Sequence, residues 1–226
     1  MFEYGAMTAA PTIEDLRERM RRLEGRPGSQ PVATHPALEG LLQLQTGGVY
    51  SAASASMLGL LMAGPSVDGA WCGVVGTSRL GLEALAATGV RLDRCVLVPE
   101  PQDAWLDVTA ALIDVLGVVA VVPPTSVGEH DASRVMARLR NRGAVLLTMG
   151  QMWPRADARL GMSDVEWVGL GQGHGHLQAR RITVDVQRGT APARSRRLWF
   201  PDLDQQIRPV ADRIAAPAPR FLRSVG

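Results

Sequence analysis

The chain has 226 residues, 46% of them hydrophobic, which is ample for a core that folds by itself. No apolar run reaches the roughly eighteen residues needed to cross a bilayer, and the opening MFEYGAMTAAPTIEDL lacks a basic start followed by an apolar stretch, so a soluble, cytoplasmic protein with no membrane partner is expected. Net charge is only +2 but unevenly spread: residues 179–226 carry ten Arg against four Asp, while residues 1–178 carry fourteen Arg against eighteen acids.

Residues 12–24 read as a helix, with Thr12 and Asp15 as its capping pair and Ile13, Leu16, Met20 and Leu23 as one apolar stripe. Such a stripe has to be buried, either on the chain's own core, on a second copy, or on a partner. The Pro- and Gly-rich GRPGSQPVATHP then reads as a linker, setting residues 1–30 apart.

From there strands and helices alternate with the rhythm of a parallel sheet. Strands are predicted at 48–53, 71–76, 95–98, 118–122 and 144–149, and helices at 55–63, 80–88, 103–115 and 131–142. The strands are continuous apolar runs, as expected where helices cover both faces. After Trp153 and Pro154 the period changes to two, in Ala158, Leu160 and Met162 and again in LQARRITVDV, on either side of the glycine-rich GLGQGHGH. This predicts a long antiparallel hairpin extending one edge of the sheet. The fold class expected is α/β: a mostly parallel core over 31–190 with helices on both faces and a C-terminal antiparallel hairpin, followed by an Arg-rich, flexible tail over 191–226.

In such a fold TGGVYSAASASMLGLLM occupies the place of a phosphate-binding loop. That loop requires glycines that let backbone N–H groups close on phosphate, a Lys for the terminal phosphates and a Ser or Thr for magnesium. Here Ser51, Ala52, Ala53, Ser54, Ala55 and Ser56 replace the glycines. Met57 and Leu58 stand where Lys and Ser/Thr are needed, and the whole chain contains no Lys. A magnesium-holding Asp at the end of the fourth strand is missing, because VVAVV runs into Pro123 and Pro124; the second strand ends in Gly76, Thr77 and Ser78 without a catalytic Glu. No catalytic residue, no cofactor and no metal is therefore expected. Ser51, Ser54 and Ser56 lack a G-x-S-x-G elbow, His174 and His176 read as an exposed turn, Asp103 and Asp107 as solvated acids, and Cys72 and Cys95 as core residues without metal or redox spacing.

The basic end offers two binding readings. Arg194, Arg196 and Arg197 precede Leu198, Trp199 and Phe200, and WFPDL resembles a short protein anchor, so Trp199 and Phe200 join Ile13, Leu16, Met20 and Leu23 as candidate partner-binding residues. Alternatively Arg180, Arg181, Arg194, Arg196 and Arg197 would contact DNA.

The order of GGVYSAASASMLGLL, LEALAATGVRLDRCVLVPEP and AVLLTMGQM is similar to the RecA recombinase core. WCGVVG, LVPEP, RLRNRGAVLLTMG, RLGMSDVEWVGLGQGHGHLQARRITVDV and the Arg-rich end more closely resemble the actinobacterial ImuA-type accessory proteins, which are RecA-like or SulA-like, over residues 10–200. The resemblance implies a non-catalytic subunit of the DNA-damage-induced mutasome, with an ImuB-type Y-family polymerase homologue as partner in mutagenic translesion synthesis. It also implies that the leading helix packs subunits or docks on that partner. Gln151 matches the RecA glutamine that senses nucleotide, but Met152, Trp153 and Pro154 cut short the DNA loop that would follow. A DNA-binding module without hydrolysis and a SulA-like regulator are the alternatives.

Overall fold

A computed structural model describes residues 28–77, 80–170 and 175–210. The expected helix at 12–24, with Ile13, Leu16, Met20 and Leu23, lies outside the described residues, as do His174 and the last sixteen residues. A small ribbon of β1 (Pro31–Val32) and β2 (Leu44–Gln45) flanks a 3-10 turn at Pro36–Leu38. Then come β3 (Val49–Ala52), α1 (Ala55–Val67), β4 (Cys72–Val75), α2 (Leu82–Ala87), β5 (Cys95–Val98), α3 (Trp105–Ile113), β6 (Val118–Val121), α4 (Glu129–Arg142) and β7 (Val145–Met149). The chain continues as β8 (Ala158–Leu170), β9 (Gly175–Gln187), β10 (Arg194–Trp199) and β11 (Arg208–Pro209). Nine strands form one sheet in the order β11-β10-β9-β8-β3-β7-β6-β4-β5. Pairing is parallel from β8 through β3 to β5 and antiparallel from β8 outward to β11. The α/β class, the mostly parallel sheet and the edge hairpin are as the sequence leads one to expect.

Side chains of successive residues point to opposite faces of a strand, so each inner strand feeds two cores. Val118, Ala120, Val145 and Leu147 join α1, α2 and the lead segment 37–44 on one face; Val119, Val121 and Leu146 join α3 and α4 on the other. That double demand explains the unbroken apolar runs. The hairpin has a helix-side face only: Leu160, Met162, Ile182, Val184 and Val186 belong to the first core, while Ser163, Thr183 and Asp185 on the opposite face are hydrogen-bonded among polar neighbours.

The middle of α1 is buried on every side. Met57, Leu58, Leu60, Leu61, Met62 and Ala63 are fully enclosed, and each large side chain among them contributes about 1.5–3 kcal/mol by leaving water. The helix continues through Pro65 to Val67, four residues past the expected end at 63. Two glycines let neighbours approach its backbone. A Cβ on Gly59 would sit 2.6 Å from Thr88 Oγ1, and one on Gly64 would sit 2.5 Å from His35 N and from the Thr34 carbonyl carbon.

The tail is a correction. Residues 194–199 do not begin a flexible end but pair with β9, and 208–209 pair back on β10. Period two runs through this stretch, with Arg196, Leu198 and Phe200 turned inward, but the first inward position is an arginine and hides it. Its guanidinium donates to the Glu39 and Ala37 carbonyls over the 3-10 turn while its stem covers the core. Cys72 is buried and Cys95 half-buried, opposite one another on β4 and β5, and both are free thiols. Burial pushes the Cys72 thiol up to about 12. Among the described residues no helix is long and apolar enough to cross a membrane.

Outside the core, Asp114 ties α3 to α4: its carboxylate accepts from Arg138 Nε at 2.7 Å and from Arg142 Nε at 3.1 Å. The Arg138 hydrogen bond, followed by that of Arg142, holds the carboxyl at about 2.

Two outcomes are expected. Gly64→Ala forces the lead segment off α1 and lowers stability by about 1–3 kcal/mol, read as a lower urea midpoint. The depressed Asp114 carboxyl contributes stability above its unfolded pKa of about 4 and loses it as pH falls through about 2. The melting temperature of wild type should therefore exceed that of Asp114→Asn by a small margin near neutrality, the pair being partly solvated, and the margin should vanish in strong acid.

Candidate functional site

The turn from β3 into α1 is where a nucleotide would have to bind, and it contains two residues, Ala53 and Ser54. The Ala53 N–H is spent on the Leu160 carbonyl at 2.9 Å. Ser54 caps the helix internally: its Oγ accepts from Met57 N at 3.4 Å and its carbonyl from Leu58 N at 2.9 Å. A phosphate loop needs a run of consecutive free N–H groups around the anion, and here there is no length of chain to supply it. The expectation of a degenerate loop over Ser51 to Met57 needs correction accordingly. Ser51 and Ala52 are strand residues, Ala55, Ser56 and Met57 are the first turn of the helix, and Met57 and Leu58 are wholly buried core rather than substituted ligands. The loop has not been altered residue by residue; its length is gone.

Beside this turn, at the carboxyl ends of β3 and β7 and against the first residues of β8, lies a crevice of about 330 Å³ lined by Ser51, Thr148, Gln151, Arg159, Asp185 and Gln187 among others. Ligands of open α/β sheets gather at such strand ends. Its floor is closed by a 2.8 Å hydrogen bond between the Ser51 and Thr148 hydroxyls. Its one carboxylate, Asp185, accepts from the hydroxyls of Ser163 and Ser195. Gln151 is exposed, and the loop that follows is pinned by Trp153, which is completely buried in the second core. β4 runs out into Gly76 and Thr77, β6 into Val122, Pro123 and Pro124, and no group of three His, Cys, Asp or Glu side chains gathers to hold a metal among the described residues. Asp103 and Asp107 are both exposed near the start of α3.

The five arginines considered for DNA serve the hairpin itself. Arg194 donates to the Gly40 carbonyl at 2.9 Å, and Arg196 holds the turn at 37–39. Arg181 and Arg197 share Glu166, with Arg181 at 2.8 Å and its guanidinium stacked over Trp199 at 5.3 Å. Arg180 lies on the opposite face between two aromatic rings, 5.2 Å from Trp167 and 5.1 Å from Phe200, and donates from Nε to the Phe200 carbonyl at 2.9 Å. Partial burial pulls this guanidinium below its usual range. Of the two aromatic anchors, only Trp199 is half-exposed; Phe200 is a core residue, as is Leu198, because the alternation of β10 turns both toward the helices.

A bulge, which periodicity alone did not reveal, produces this arrangement. Met162 and Ser163 pair with Val184 and Thr183, but Glu166 and Trp167 pair with Arg181 and Arg180, leaving Asp164 and Val165 opposite Ile182 alone. Asp164 takes a positive φ of 47° there. The extra residue carries Trp167 to the helix side, where Arg180 and Phe200 complete the cross-strand stack.

The sequence profile of the MT3502 N-terminal domain matches residues 37–155, from the 3-10 turn through the loop after β7. An uncharacterized protein of Mycobacterium tuberculosis, Rv3395c, is 30% identical over 155 residues, covering 67% of this chain and 76% of its own length. The matched profile begins with the segment packed on α1 and encloses every parallel strand from β3 to β7, and on both counts the chain belongs to the MT3502 N-terminal domain family.

Proposed function

We propose that this protein is a non-catalytic accessory subunit of the ImuA type, acting in the cytoplasm within a DNA-damage-induced mutasome and binding an ImuB-type polymerase homologue during mutagenic translesion synthesis. The observation that carries the reading is the two-residue turn between β3 and α1, which leaves an ATPase-like sheet with no chain to wrap a triphosphate. A subunit of this kind works by contact. The resemblance over residues 10–200 to the ImuA-type proteins names the contact, and the mycobacterial relative is in keeping with the actinobacterial setting of that family. The engagement of Arg180, Arg181, Arg194, Arg196 and Arg197 within the hairpin favours protein over DNA as partner.

Restoring the missing chemistry by substitution should fail. Met57→Lys puts an ammonium where the wild-type side chain is 0% exposed; the expected result is a loss of about 3 kcal/mol or more and no ATP or ADP binding by calorimetry. Nucleotide binding by wild type with ordered magnesium would overturn the reading.

Co-purification with the ImuB-type homologue encoded in the same genome should give a stable complex at physiological salt. Deleting residues 1–30 or introducing Trp199→Ala should weaken it about tenfold or more. Removing everything after 190 is the wrong test, since it strips Leu198 and Phe200 from the core. Absence of a complex, together with DNA affinity that falls steeply with salt, would instead establish the DNA-binding module.

A further inference from the structure

Between the N-terminus of α1, the outer face of α2 and the end of the β9–β10 ribbon lies a cleft of about 280 Å³, distinct from the crevice at the strand ends. Its walls are the short side chains of Ala55, Ala84 and Ala87 and the apolar surfaces of Leu80, Phe200 and Ile207, with Ser56, Thr88 and Gln205 as polar members. Among the described residues, Arg180 is the one charged residue that lines it. No carboxylate pairs with Arg180 among the described residues; its neighbours are two aromatic rings and one carbonyl. By contrast, Arg181 and Arg197 share the Glu166 carboxylate, and Arg194 and Arg196 donate to backbone carbonyls.

A half-buried guanidinium, fixed between two rings and without a carboxylate partner among the described residues, is a built receptor for a carboxylate. The apolar wall beside it is too small for a nucleotide but large enough for an aliphatic side chain. We propose that this cleft docks a peptide segment of another protein in which an apolar anchor residue stands next to an Asp or Glu. The carboxylate meets Arg180 at the rim, and the anchor fills the space between Ala84 and Ile207. Charge decides the source. The chain's own residues 211–226 begin four positions after Ile207 in sequence but carry Arg213, Arg220 and Arg223 against Asp212, a net charge of the wrong sign for Arg180. The inference stands apart from the identity of the mutasome partner and applies whatever assembly the chain serves.

The test is an NMR titration of the full chain with the peptide acetyl-Glu-Leu-Asp-Leu-amide and its neutral counterpart acetyl-Gln-Leu-Asn-Leu-amide. The proposal expects saturable shifts at the Ala84, Thr88 and Ile207 amides with the acidic peptide and affinity about tenfold or more lower for the neutral one. Arg180→Gln should abolish that difference between the peptides. Ala84→Trp, placed on the exposed side of α2 where it fills the cleft, should abolish both titrations while leaving amides remote from the cleft unshifted. Equal affinity for the two peptides, shifts confined to other surfaces, or no response at about 10 mM peptide would overturn the proposal. So would tighter binding after removal of residues 211–226, which would mark the chain's own end as the occupant, or a dimer that Ala84→Trp makes monomeric.

Discussion

The structure depends on one helix whose central turns, Met57 to Ala63, have no exposed face. α1 leaves β3 after two residues and is enclosed by the sheet, by Thr88 at the end of α2 and by the Thr34–His35 backbone of the lead segment. A helix so placed must be apolar all round, and ASMLGLLMAGPSV contains no charge. It must also be narrow where neighbours cross it, hence Gly59 and Gly64. The same enclosure bears on the proposed function. In a nucleotide-binding sheet the first helix points its free N–H groups into solvent at the end of a long loop, and in this chain that end is drawn down to the strand and capped by its own Ser54. Core packing and nucleotide binding compete for one stretch of chain, and packing holds it.

The second organising feature is the change in the sheet at β3. On the β7 side the inner strands β3, β7, β6 and β4 are covered twice, and sequence there is apolar without interruption. On the β8 side the helices cover one face, and the other is filled by a lattice of Glu166, Arg181, Arg197, Asp185, Ser163 and Ser195. Arginine does in this half what leucine does in the first. Its long stem covers apolar surface and its head reaches carbonyls that would otherwise go unpaired, as Arg196 does at Glu39 and Arg194 at Gly40. In a chain without lysine, a cluster of arginines is therefore weak grounds for assigning a nucleic-acid surface.

This is also why the parallel half was legible in the sequence and the edge was not. Runs such as VVAVV and AVLLTM leave no choice of period, and the strands and helices from β3 to β7 lie within a few residues of their expected places. β10 has its period carried by Arg196, Leu198 and Phe200, and a charged residue at an inward position reads as solvent-facing until the 3-10 turn above it is known. Phe200 looked exposed for the same reason. The turn into α1 was read as a substituted loop because residue identity can be compared position by position, whereas loop length depends on where the strand ends and the helix begins, and only the backbone gives that.

The bulge at Asp164 and Val165 connects these observations. With regular pairing, Trp167 would fall on the same face as Ser163 two pleats away, and Arg180 would have one aromatic neighbour instead of two. One inserted residue reverses the face of everything beyond it. Glu166 then meets Arg181 and Arg197 on the open side, and Trp167 meets Arg180 on the helix side. Two neighbouring arginines are thereby given opposite fates by the pleat: Arg181 meets a carboxylate, and Arg180 sits in an aromatic bracket without one among the described residues. A sheet extension serving packing alone has no need of the second arrangement, because a leucine at that inward position would join Ile182 and Val184 in the core at no desolvation cost. The retained charge therefore points outward from the fold, toward whatever enters the cleft it lines.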